Sequence, residues 1–345
     1  MSTKRLFVGG KFDEYGGKRS EVVNIAFKSI RSDIEYHNGG HFSQLEKIIA
    51  KIHNFELIYW FADVSNDKPK LIQEIKKKNE TCVLVTSKRN FGEYTFNDIV
   101  AHGLRNKSNL MVEISKQGER FNGRILDPLG NVFLDYEEDF GIVGKVVEKR
   151  GEELLGYTRV RSERIDGSAS VPNEEEFFRK VRYCGDLFDR ISPHKNGDRY
   201  FGNASFTDGK MVYMSRRNID KKDMKREGFV PLLPGLPVRY SGNKPSVDAQ
   251  VQLKLYEHYR NARYIIHGHV FVAGAQFTDR IVPCGAIEEA EDVIKTHPDP
   301  ADINFAVNLR GHGTVVIADN LGLFEKLAYR ERNLPEVHHE YRNID

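Results

Sequence analysis

Hydrophobic residues in the first half of the chain form short continuous runs separated by stretches with helical spacing. The runs predict buried strands, namely Lys4–Gly10, Phe55–Phe61, Cys82–Thr86 and Asn109–Ser115. Apolar positions three and four residues apart predict the helices between them, namely Val22–Ile30, Phe42–Ile52, Lys68–Lys78 and Phe96–Leu104. Strands and helices that alternate in this way predict a parallel sheet in a Rossmann-like α/β domain.

The second half mixes amphipathic helices with strands that follow one another as in hairpins. Its predicted helices are Glu174–Ile191, Ile287–Lys295 and Leu321–Glu331. Its predicted strands are Tyr200–Phe206, Lys210–Met214, Tyr264–Val272, Phe305–Leu309 and Thr314–Ala318. A polar stretch without periodicity, Arg159–Ser170, separates the halves. The sequence therefore predicts a first domain at residues 1–158, a linker at 159–172 and a second domain at 173–345.

Length, charge and cysteine content refine this picture. The chain has 345 residues and a formal net charge of +2, so charge gives no reason to expect nucleic acid or a membrane surface as a partner. No apolar run reaches the roughly 18 residues that span a bilayer, and the first residues lack an apolar signal segment. The cysteines, Cys82, Cys184 and Cys284, are odd in number and far apart, which predicts no disulfide framework and a cytoplasmic location.

Three histidines stand beside strand-like segments of the second half. His267 and His269 flank Gly268 within an apolar run, and His312 precedes another such run. Residues two apart on a strand share one face, so His267 and His269 can hold one metal together. Neutral imidazoles suit zinc and similar divalent ions. With Asp248 as a nearby carboxylate, these residues are candidates for a metal site.

The segment before Asp248 also has a purely structural interpretation. Ser246 is a suitable N-cap residue for a helix that begins there, and Asp248 lies in its first turn. A carboxylate in that position is stabilised by the helix dipole. Both side chains could therefore serve only to cap the helix.

Two stretches of the first half could contact a ligand. The glycine-containing basic loop Gly10–Ser20 lies between a strand and a helix, an order that can hold a phosphate on free backbone N–H groups. Its spacing matches neither the P-loop nor the dinucleotide fingerprint, so an ordinary β–α turn is the simpler interpretation. Thr86–Asn90, with Lys88 and Arg89, also follows a strand and could face the same crevice or be solvated.

The second half resembles the class II aldolase/adducin family, which includes fuculose- and rhamnulose-phosphate aldolases and related sugar-phosphate epimerases and dehydratases. The residues that carry the resemblance occur in order over roughly 173–332, namely Gly202-Asn203-Ala204-Ser205, Pro245-Ser246-Val247-Asp248, His267-Gly268-His269 and His312-Gly313. The first half lies outside the family. Its glycine loop and Thr86–Asn90 show a faint similarity to nucleotide-binding α/β domains such as the phosphopantothenate–cysteine ligase domain.

The resemblance implies an α/β/α fold around a mixed sheet and a small, phosphorylated sugar as the substrate. It implies His267, His269 and His312 as ligands of Zn²⁺ or another divalent metal, and an acidic residue at position 248 as the catalytic base. It also implies that Gly202, Asn203 and Ser246 bind the substrate phosphate. A homo-oligomer, in the family commonly a tetramer, with active sites between subunits is expected as well.

The sequence departs from the family at three places. Asp248 stands where the family usually has Glu, and Val247 replaces a serine hydroxyl. Ser215 and Arg216 replace a Thr-Gly pair, and Arg216 could bind a phosphate through bidentate hydrogen bonds or point into solvent. Three hypotheses follow: a metal-dependent lyase, epimerase or dehydratase; a non-catalytic, adducin-like binding module; or a bifunctional protein whose first domain binds a nucleotide.

Overall fold

The computed structural model describes residues 4–30, 33–64, 71–160, 162–167, 170–192, 195–196 and 199–342. The chain divides into two compact units, one formed by Met1–Gly156 with Leu334–Asp345 and the other by Tyr157–Asn333. Within the described ranges, no helix is both long enough and apolar enough to cross a membrane.

The first unit alternates strands and helices, as its hydrophobic pattern predicts. Its strands are β1 (Arg5–Asp13), β2 (Ile34–His41), β3 (Leu57–Val64), β4 (Val83–Asn90), β5 (Leu110–Gln117), β6 (Arg120–Leu126) and β7 (Asn131–Glu137). Its helices are α1 (Glu21–Lys28), α2 (Phe42–Ala50), α3 (Leu71–Lys78), α4 (Phe96–Asn106) and α5 (Phe140–Gly156). The predicted start of α3 at residues 68–70 lies outside the described residues.

A single sheet forms the centre of the first unit. Its order is β2-β1-β3-β4-β5-β6-β7, and the first five strands are parallel. Leu6 and Val8 of β1 pack with α2 and α3 on one face. Phe7 points to the other face and contacts Phe27 of α1, with ring centroids 5.4 Å apart. The sheet is therefore covered by helices on both faces, as a parallel sheet requires.

Strand β2 is absent from the sequence-based prediction. Ile34–His41 is largely polar and only partly buried, because the strand lies at the edge of the sheet and pairs only with β1. An edge strand does not need the continuous apolar run by which the central strands are recognised.

The C-terminal tail also differs from the prediction, which placed it in the second domain. Glu336–Val337 pairs in parallel with β7 of the first unit. Tyr341 is buried there against Phe133, with ring centroids 5.0 Å apart. The tail is polar over most of its length, so only a few apolar side chains mark its return to the first unit.

The second unit is built around a nine-stranded mixed sheet. Its strands are β8 (Glu163–Arg164), β9 (Lys195–Asn196), β10 (Arg199–Tyr200), β11 (Asn203–Thr207), β12 (Val212–Ser215), β13 (Phe229–Leu233), β14 (Arg239–Tyr240), β15 (Tyr264–Gly268), β16 (Phe271–Val272), β17 (Gln276–Phe277), β18 (Phe305–Leu309), β19 (Gly313–Ala318) and β20 (Tyr329–Arg330). Its helices are α6 (Glu175–Ile191), α7 (Ala249–His258), α8 (Glu288–Thr296) and α9 (Leu323–Lys326). The tail strand Glu336–Val337 is β21.

The central sheet of the second unit has the order β17-β18-β19-β15-β11-β12-β13-β14-β8. Ile265 of β15 faces a core shared with α7 and α8. Its neighbour Ile266 faces a second core shared with α6. The unit therefore has the α/β/α layers that were predicted for it, with β15 at the centre.

Two details of the second unit differ from the predictions. The predicted helix Leu321–Glu331 is only the short α9, and Tyr329–Arg330 pairs with β16 instead of continuing the helix. Residues 329–330 form a short strand despite their helical spacing, because Tyr329 packs on Phe188 of α6, with ring centroids 4.9 Å apart.

The unit also begins at Tyr157, inside the region expected to form the end of the first domain.

Close approach of β15 and β19 generates a prediction for stability. A Cβ on Gly313 would lie 2.1 Å from the Gly268 carbonyl oxygen, so Gly313→Ala must push the two strands apart. We expect the variant to lose about 1–3 kcal/mol of unfolding free energy. Urea unfolding followed by far-UV circular dichroism measures the loss.

The matched control for this prediction is Gly322→Ala. A Cβ at that position would find its nearest neighbour, Asn320 Oδ1, at 3.4 Å, which is ordinary contact. The single tryptophan, Trp60, lies in β3, so its fluorescence follows the first unit separately. Equal stability of the Gly313→Ala and Gly322→Ala proteins would show that the strands tolerate the methyl group.

Candidate metal centre

The three histidines singled out in the sequence come together at one end of β15 and β19. One ring nitrogen of each lies within 4.8 Å of the others. The ring centroids are 5.3 Å apart for His267 and His269, 4.6 Å for His267 and His312, and 4.9 Å for His269 and His312. The expectation that His267 and His269 share one strand needs correction, because β15 ends at Gly268 and His269 follows it.

His267 is held in one tautomer by the neighbouring strand. Its Nδ1 lies 2.9 Å from the backbone oxygen of Thr314, which can only accept, so Nδ1 carries the proton. Nε2 is then an unprotonated lone-pair donor. It is buried and has no hydrogen-bond partner among the described residues. A metal-binding histidine is oriented in this way.

His312 is fixed from both sides. Its Nδ1 lies 2.5 Å from Glu289 Oε1, and its Nε2 lies 3.1 Å from Cys284 Sγ. The buried guanidinium of Arg332 donates to the His312 and Gly311 carbonyl oxygens at 2.8 and 2.9 Å. The turn that carries His312 is therefore anchored before β19 begins.

Burial keeps the His267 and His269 imidazoles neutral. Desolvation lowers the pKa of His267 to about 4, and the neighbouring His312 adds to this shift. Desolvation also lowers the pKa of His269 well below its usual value, with His312 and His267 contributing. Both rings are therefore neutral at pH 7, and each has one unprotonated nitrogen that can bind a metal.

Asp248 does not act as a helix cap. It occupies the N-cap position of α7, but its side chain accepts no hydrogen bond from the helix backbone. Ser246 lies before the helix, and its hydroxyl donates to Asp248 Oδ2 at 3.4 Å and accepts from the Asp248 backbone N–H at 3.5 Å. The prediction that Ser246 is the N-cap residue is wrong because Asp248 occupies that position, although the Ser246 hydroxyl does accept a backbone N–H just before the helix.

The Asp248 carboxylate is oriented by two amide side chains. Asn203 Nδ2 donates to Asp248 Oδ2 at 2.6 Å, and Gln252 Nε2 donates to Asn203 Oδ1. Asn203 pairs with His267 across β11 and β15, so this chain of contacts links the carboxylate to the histidines. Asp248 Oδ1 is buried and accepts no hydrogen bond within the described part of the chain.

The other predicted substrate-binding residues differ in how close they lie to the histidines. Gly202 has φ +75°, and a Cβ there would lie 2.6 Å from the His267 carbonyl oxygen, so the position requires glycine. Ser215 is fully buried, and its hydroxyl accepts from the backbone N–H of Ala204 at 3.1 Å. Arg216 is exposed to solvent. The structure thus brings Gly202 to the histidines but leaves the Arg216 side chain on the surface.

Lys221 is a buried cation near the carboxylate. Its Nζ donates to the Ile219 carbonyl oxygen at 3.0 Å, and the residue is 8 % exposed. Burial lowers the pKa of Lys221 to about 8, while Asp220 and Asp248 oppose the shift. Its charge also helps to lower the pKa of His269, which places it in the electrostatic environment of the histidines.

These residues fit a divalent cation. The cluster offers neutral imidazoles, a buried His267 Nε2 without a partner in the described ranges and a second such atom, Asp248 Oδ1. Burial raises the pKa of Glu289 well above its usual value, and the Asp248 charge raises it further. A bound cation would relieve both the unpaired atoms and the repulsion between carboxylates.

Several residues of the centre were not predicted from the sequence. Glu289, Cys284, Gln252 and Lys221 reach it from α8, from the loop before α8, from α7 and from a short turn after β12. None lies in a motif around the histidines. A weak signal existed for Glu289, a polar residue on the apolar face of the amphipathic helix α8, and for Gln252, a polar residue among the apolar positions of α7.

Three backbone N–H groups of the glycine loop in the first unit donate to acceptors within that unit. Lys11 N donates to the Lys18 carbonyl oxygen at 2.8 Å, and Gly17 N to the Gly40 carbonyl oxygen at 2.9 Å. Ser20 N donates to Asn38 Oδ1 at 3.0 Å. These internal bonds favour the interpretation as an ordinary β–α turn. Nucleotide binding by the first unit stays a hypothesis.

Comparison with known proteins agrees with the centre described above. The sequence model of the family described as Class II Aldolase and Adducin N-terminal domain matches residues 187–329. This range contains Gly202, Asn203, Asp248 and the three histidines. Among curated proteins, none matches the chain in sequence.

Solved structures similar to the chain have low identity. L-fuculose 1-phosphate aldolase is 17% identical with a TM-score of 0.36, and the match covers 46% of this chain and 84% of that one. The L-fuculose-1-phosphate aldolase from Thermus thermophilus is 18% identical with a TM-score of 0.31, covering 44% and 89%. The DNA/Pantothenate Metabolism Flavoprotein from Streptococcus pneumoniae is 10% identical with a TM-score of 0.35, covering 44% and 99%.

The second unit is therefore an α/β/α domain with a histidine cluster at the end of its central strands. Its residues 187–329 match the model of the class II aldolase and adducin N-terminal domain, which confirms the resemblance noted for residues 173–332. This assignment rests on the family match and on the motif residues, since TM-scores of this size carry no weight on their own.

The buried Lys221 generates a prediction about pH and stability in metal-free protein. The folded state releases this proton near pH 8, whereas the unfolded chain keeps it to about 10.5. The unfolded state binds more protons in that window, so the unfolding free energy should rise with pH there. Lys221→Met should remove an increase on the order of 3 kcal/mol between those values.

Urea unfolding at a series of pH values measures this increase. Lys210→Met is the matched control, because Lys210 is an exposed lysine of the same unit. The control should follow the wild-type curve. Parallel curves for wild type and Lys221→Met would mean that Lys221 is not a buried cation in the folded protein.

Proposed function

We propose that the second unit is a divalent-metal-dependent lyase, or an epimerase or dehydratase that uses the same enediolate intermediate. Its substrate would be a small, phosphorylated sugar. His267, His269 and His312 would hold the metal, with zinc as the first candidate because imidazoles suit it. Held there, the metal would supply Lewis-acid stabilisation of negative charge on the substrate oxygen.

One observation carries this proposal. His267 Nε2 and Asp248 Oδ1 are both buried, and neither has a hydrogen-bond partner in the described ranges. An unpaired buried polar atom costs about 1–3 kcal/mol, so two of them beside a histidine cluster indicate a site kept for a ligand. A domain that served only as a scaffold would have no need to maintain this arrangement.

Asp248 is the residue proposed to move the proton. Asn203 and Ser246 donate to Oδ2, which orients the carboxylate and leaves Oδ1 as the basic atom. Oδ1 would take a proton from the substrate carbon or hydroxyl, or return one to it. Asp is one methylene shorter than the Glu of the family pattern, so the substrate must approach closer to α7.

The charged groups around Asp248 support an anionic substrate. Lys221 is buried and interacts electrostatically with Asp248, and Ser246 is partly exposed beside Asp248. The Lys221 ammonium is a suitable donor to a phosphate oxygen, and the Ser246 hydroxyl would have to turn from Asp248 Oδ2 to donate to it as well. The phosphate is therefore proposed to lie near Ser246, Gly202 and Lys221, with Arg216 as a surface residue that it could recruit. Assembly into a homo-oligomer stays a prediction.

His267→Ala should lose the metal and the activity together, because it removes the nitrogen that has no other partner among the described residues. Elemental analysis of purified protein measures the metal, and a screen of phosphorylated keto-sugars measures turnover. His53→Ala, an exposed histidine of the first unit, is the control and should keep both. A His267→Ala protein with a full metal complement would exclude His267 as a ligand.

Asp248→Asn should keep the metal but lower turnover by roughly 10²–10⁴-fold, the usual contribution of a general base. The amide oxygen can still accept from Asn203, so the local structure is kept. Steady-state kinetics on the substrate found in the screen measure the effect, and Asp299→Asn at an exposed site is the control. Unchanged turnover would remove Asp248 from this role.

A protein that binds metal but turns over none of these sugars would favour the adducin-like binding module instead. A protein that binds no metal would contradict the proposal at its first step.

A further inference from the structure

Cys284 lies at the metal centre although no motif points to it. Its Sγ is 3.1 Å from His312 Nε2. Because Glu289 engages His312 Nδ1, a metal at this histidine would be bound through Nε2. Cys284 is also partly exposed, whereas the other cysteines are buried.

The loop that carries Cys284 is fixed on both sides. Gln250 of α7 donates to the carbonyl oxygen of Gly285, the next residue. Ala286 N donates to the Pro283 carbonyl oxygen at 3.1 Å, and Glu289 N to the Ala286 carbonyl oxygen at 3.1 Å. The thiol is thus held in place by the same helices that carry Asp248 and Glu289.

The distance between sulfur and nitrogen suits two ligands of one ion. A zinc ion binds sulfur at about 2.3 Å and nitrogen at about 2.0–2.1 Å, so adjacent ligands lie roughly 3.1–3.6 Å apart for angles of about 90–110°. The Cys284–His312 contact falls at the lower end of this range. The second indication is His267 Nε2, which is buried beside His312 without a partner among the described residues. The group of ligand atoms that lie within 4.8 Å of one another contains the three histidines and not Cys284, so the thiol would have to move toward the ion on binding.

We propose that Cys284 is a fourth protein ligand of the divalent metal, alongside the three histidines. This inference rests on the metal site of the proposed function. On binding, the thiol S–H bond breaks, the proton leaves to solvent and a sulfur–metal bond forms, with no change of oxidation state. The site then has three neutral ligands and one anionic ligand.

A thiolate ligand changes which metals the site selects. Soft sulfur favours Zn²⁺ and similar ions, whereas Mg²⁺ and Mn²⁺ prefer oxygen ligands. The substrate would then bind by expansion of the coordination sphere or by displacement of the thiolate, as catalytic zinc sites permit five ligands. Coordination by Cys284 would thus distinguish this centre from a zinc site formed by three histidines and a water molecule.

Cobalt substitution tests the proposal without any substrate. Full-length protein freed of metal with a chelator is titrated with Co²⁺, and its absorption spectrum is recorded. Wild type should show a sulfur-to-cobalt charge-transfer band in the near ultraviolet together with the visible cobalt bands. Cys284→Ser should keep visible cobalt bands and lose the charge-transfer band. Its zinc affinity should fall at least roughly tenfold, because partners outside the ligand shell are already worth about 10–100-fold.

Two further variants keep the result unambiguous. Cys82→Ser is the control, since Cys82 lies in the first unit and its thiol donates to Asn79 O at 3.1 Å, as a hydroxyl can. It should keep the charge-transfer band. Cys284→Asp retains an anionic ligand and should bind cobalt without the band, even if Cys284→Ser binds none.

The outcomes separate the two proposals. Visible cobalt bands without a sulfur band in wild type would overturn the role of Cys284 and leave the histidine site intact. No cobalt binding at all would overturn both. Alkylation gives an independent measurement: iodoacetamide should modify Cys284 in metal-free protein, and Zn²⁺ should protect it. Equal modification with and without Zn²⁺ would contradict coordination by the thiol.

Discussion

Antiparallel pairing of β15 with β19 is the interaction on which the centre depends. It sets Gly268 opposite Thr314 and His267 opposite Val315, so the end of one strand meets the beginning of the other. The same pairing brings the Thr314 carbonyl oxygen within 2.9 Å of His267 Nδ1. One backbone contact therefore selects the tautomer of His267 and sets how far it lies from His312.

The charges around this pairing form a second level of organisation. Asp248, Glu289 and Lys221 are all buried, although burial of an ionisable group is costly unless it is compensated. The neutral His267 and His269 rings add no positive charge, and Lys221 supplies one cation for two carboxylates. A divalent cation would compensate both carboxylates. In the metal-free chain, desolvation and the Asp248 charge raise the pKa of Glu289. Buried ionisable groups that repel one another when the ligand is absent are typical of a functional site.

The sequence predicts the parts of the structure that are governed by local periodicity. The central strands of both units and the long helix α6 follow from their apolar spacing. The edge strand β2 and the tail strand do not, because a polar strand is stabilised by its neighbour and leaves no pattern of its own. The histidines and Asp248 can be predicted as site residues from the sequence because they lie in short motifs.

Other parts of the centre depend on contacts between residues far apart in the chain. Glu289 and Cys284 become visible only when α8 and its preceding loop pack beside β19. In contrast, the difference at Ser246 is local: it fits the sequence pattern of a helix cap, but α7 begins later and Asp248 takes the N-cap position. The Ser246 hydroxyl contacts the Asp248 carboxylate only two residues away.

The proposed function requires one divalent metal bound between the three histidines. Anomalous diffraction from crystals grown with Zn²⁺ measures this directly. We expect a single strong peak in the second unit, about 2.0–2.1 Å from ring nitrogens of His267, His269 and His312. A fully zinc-loaded crystal with no peak between these rings, or with its peak elsewhere, would contradict it.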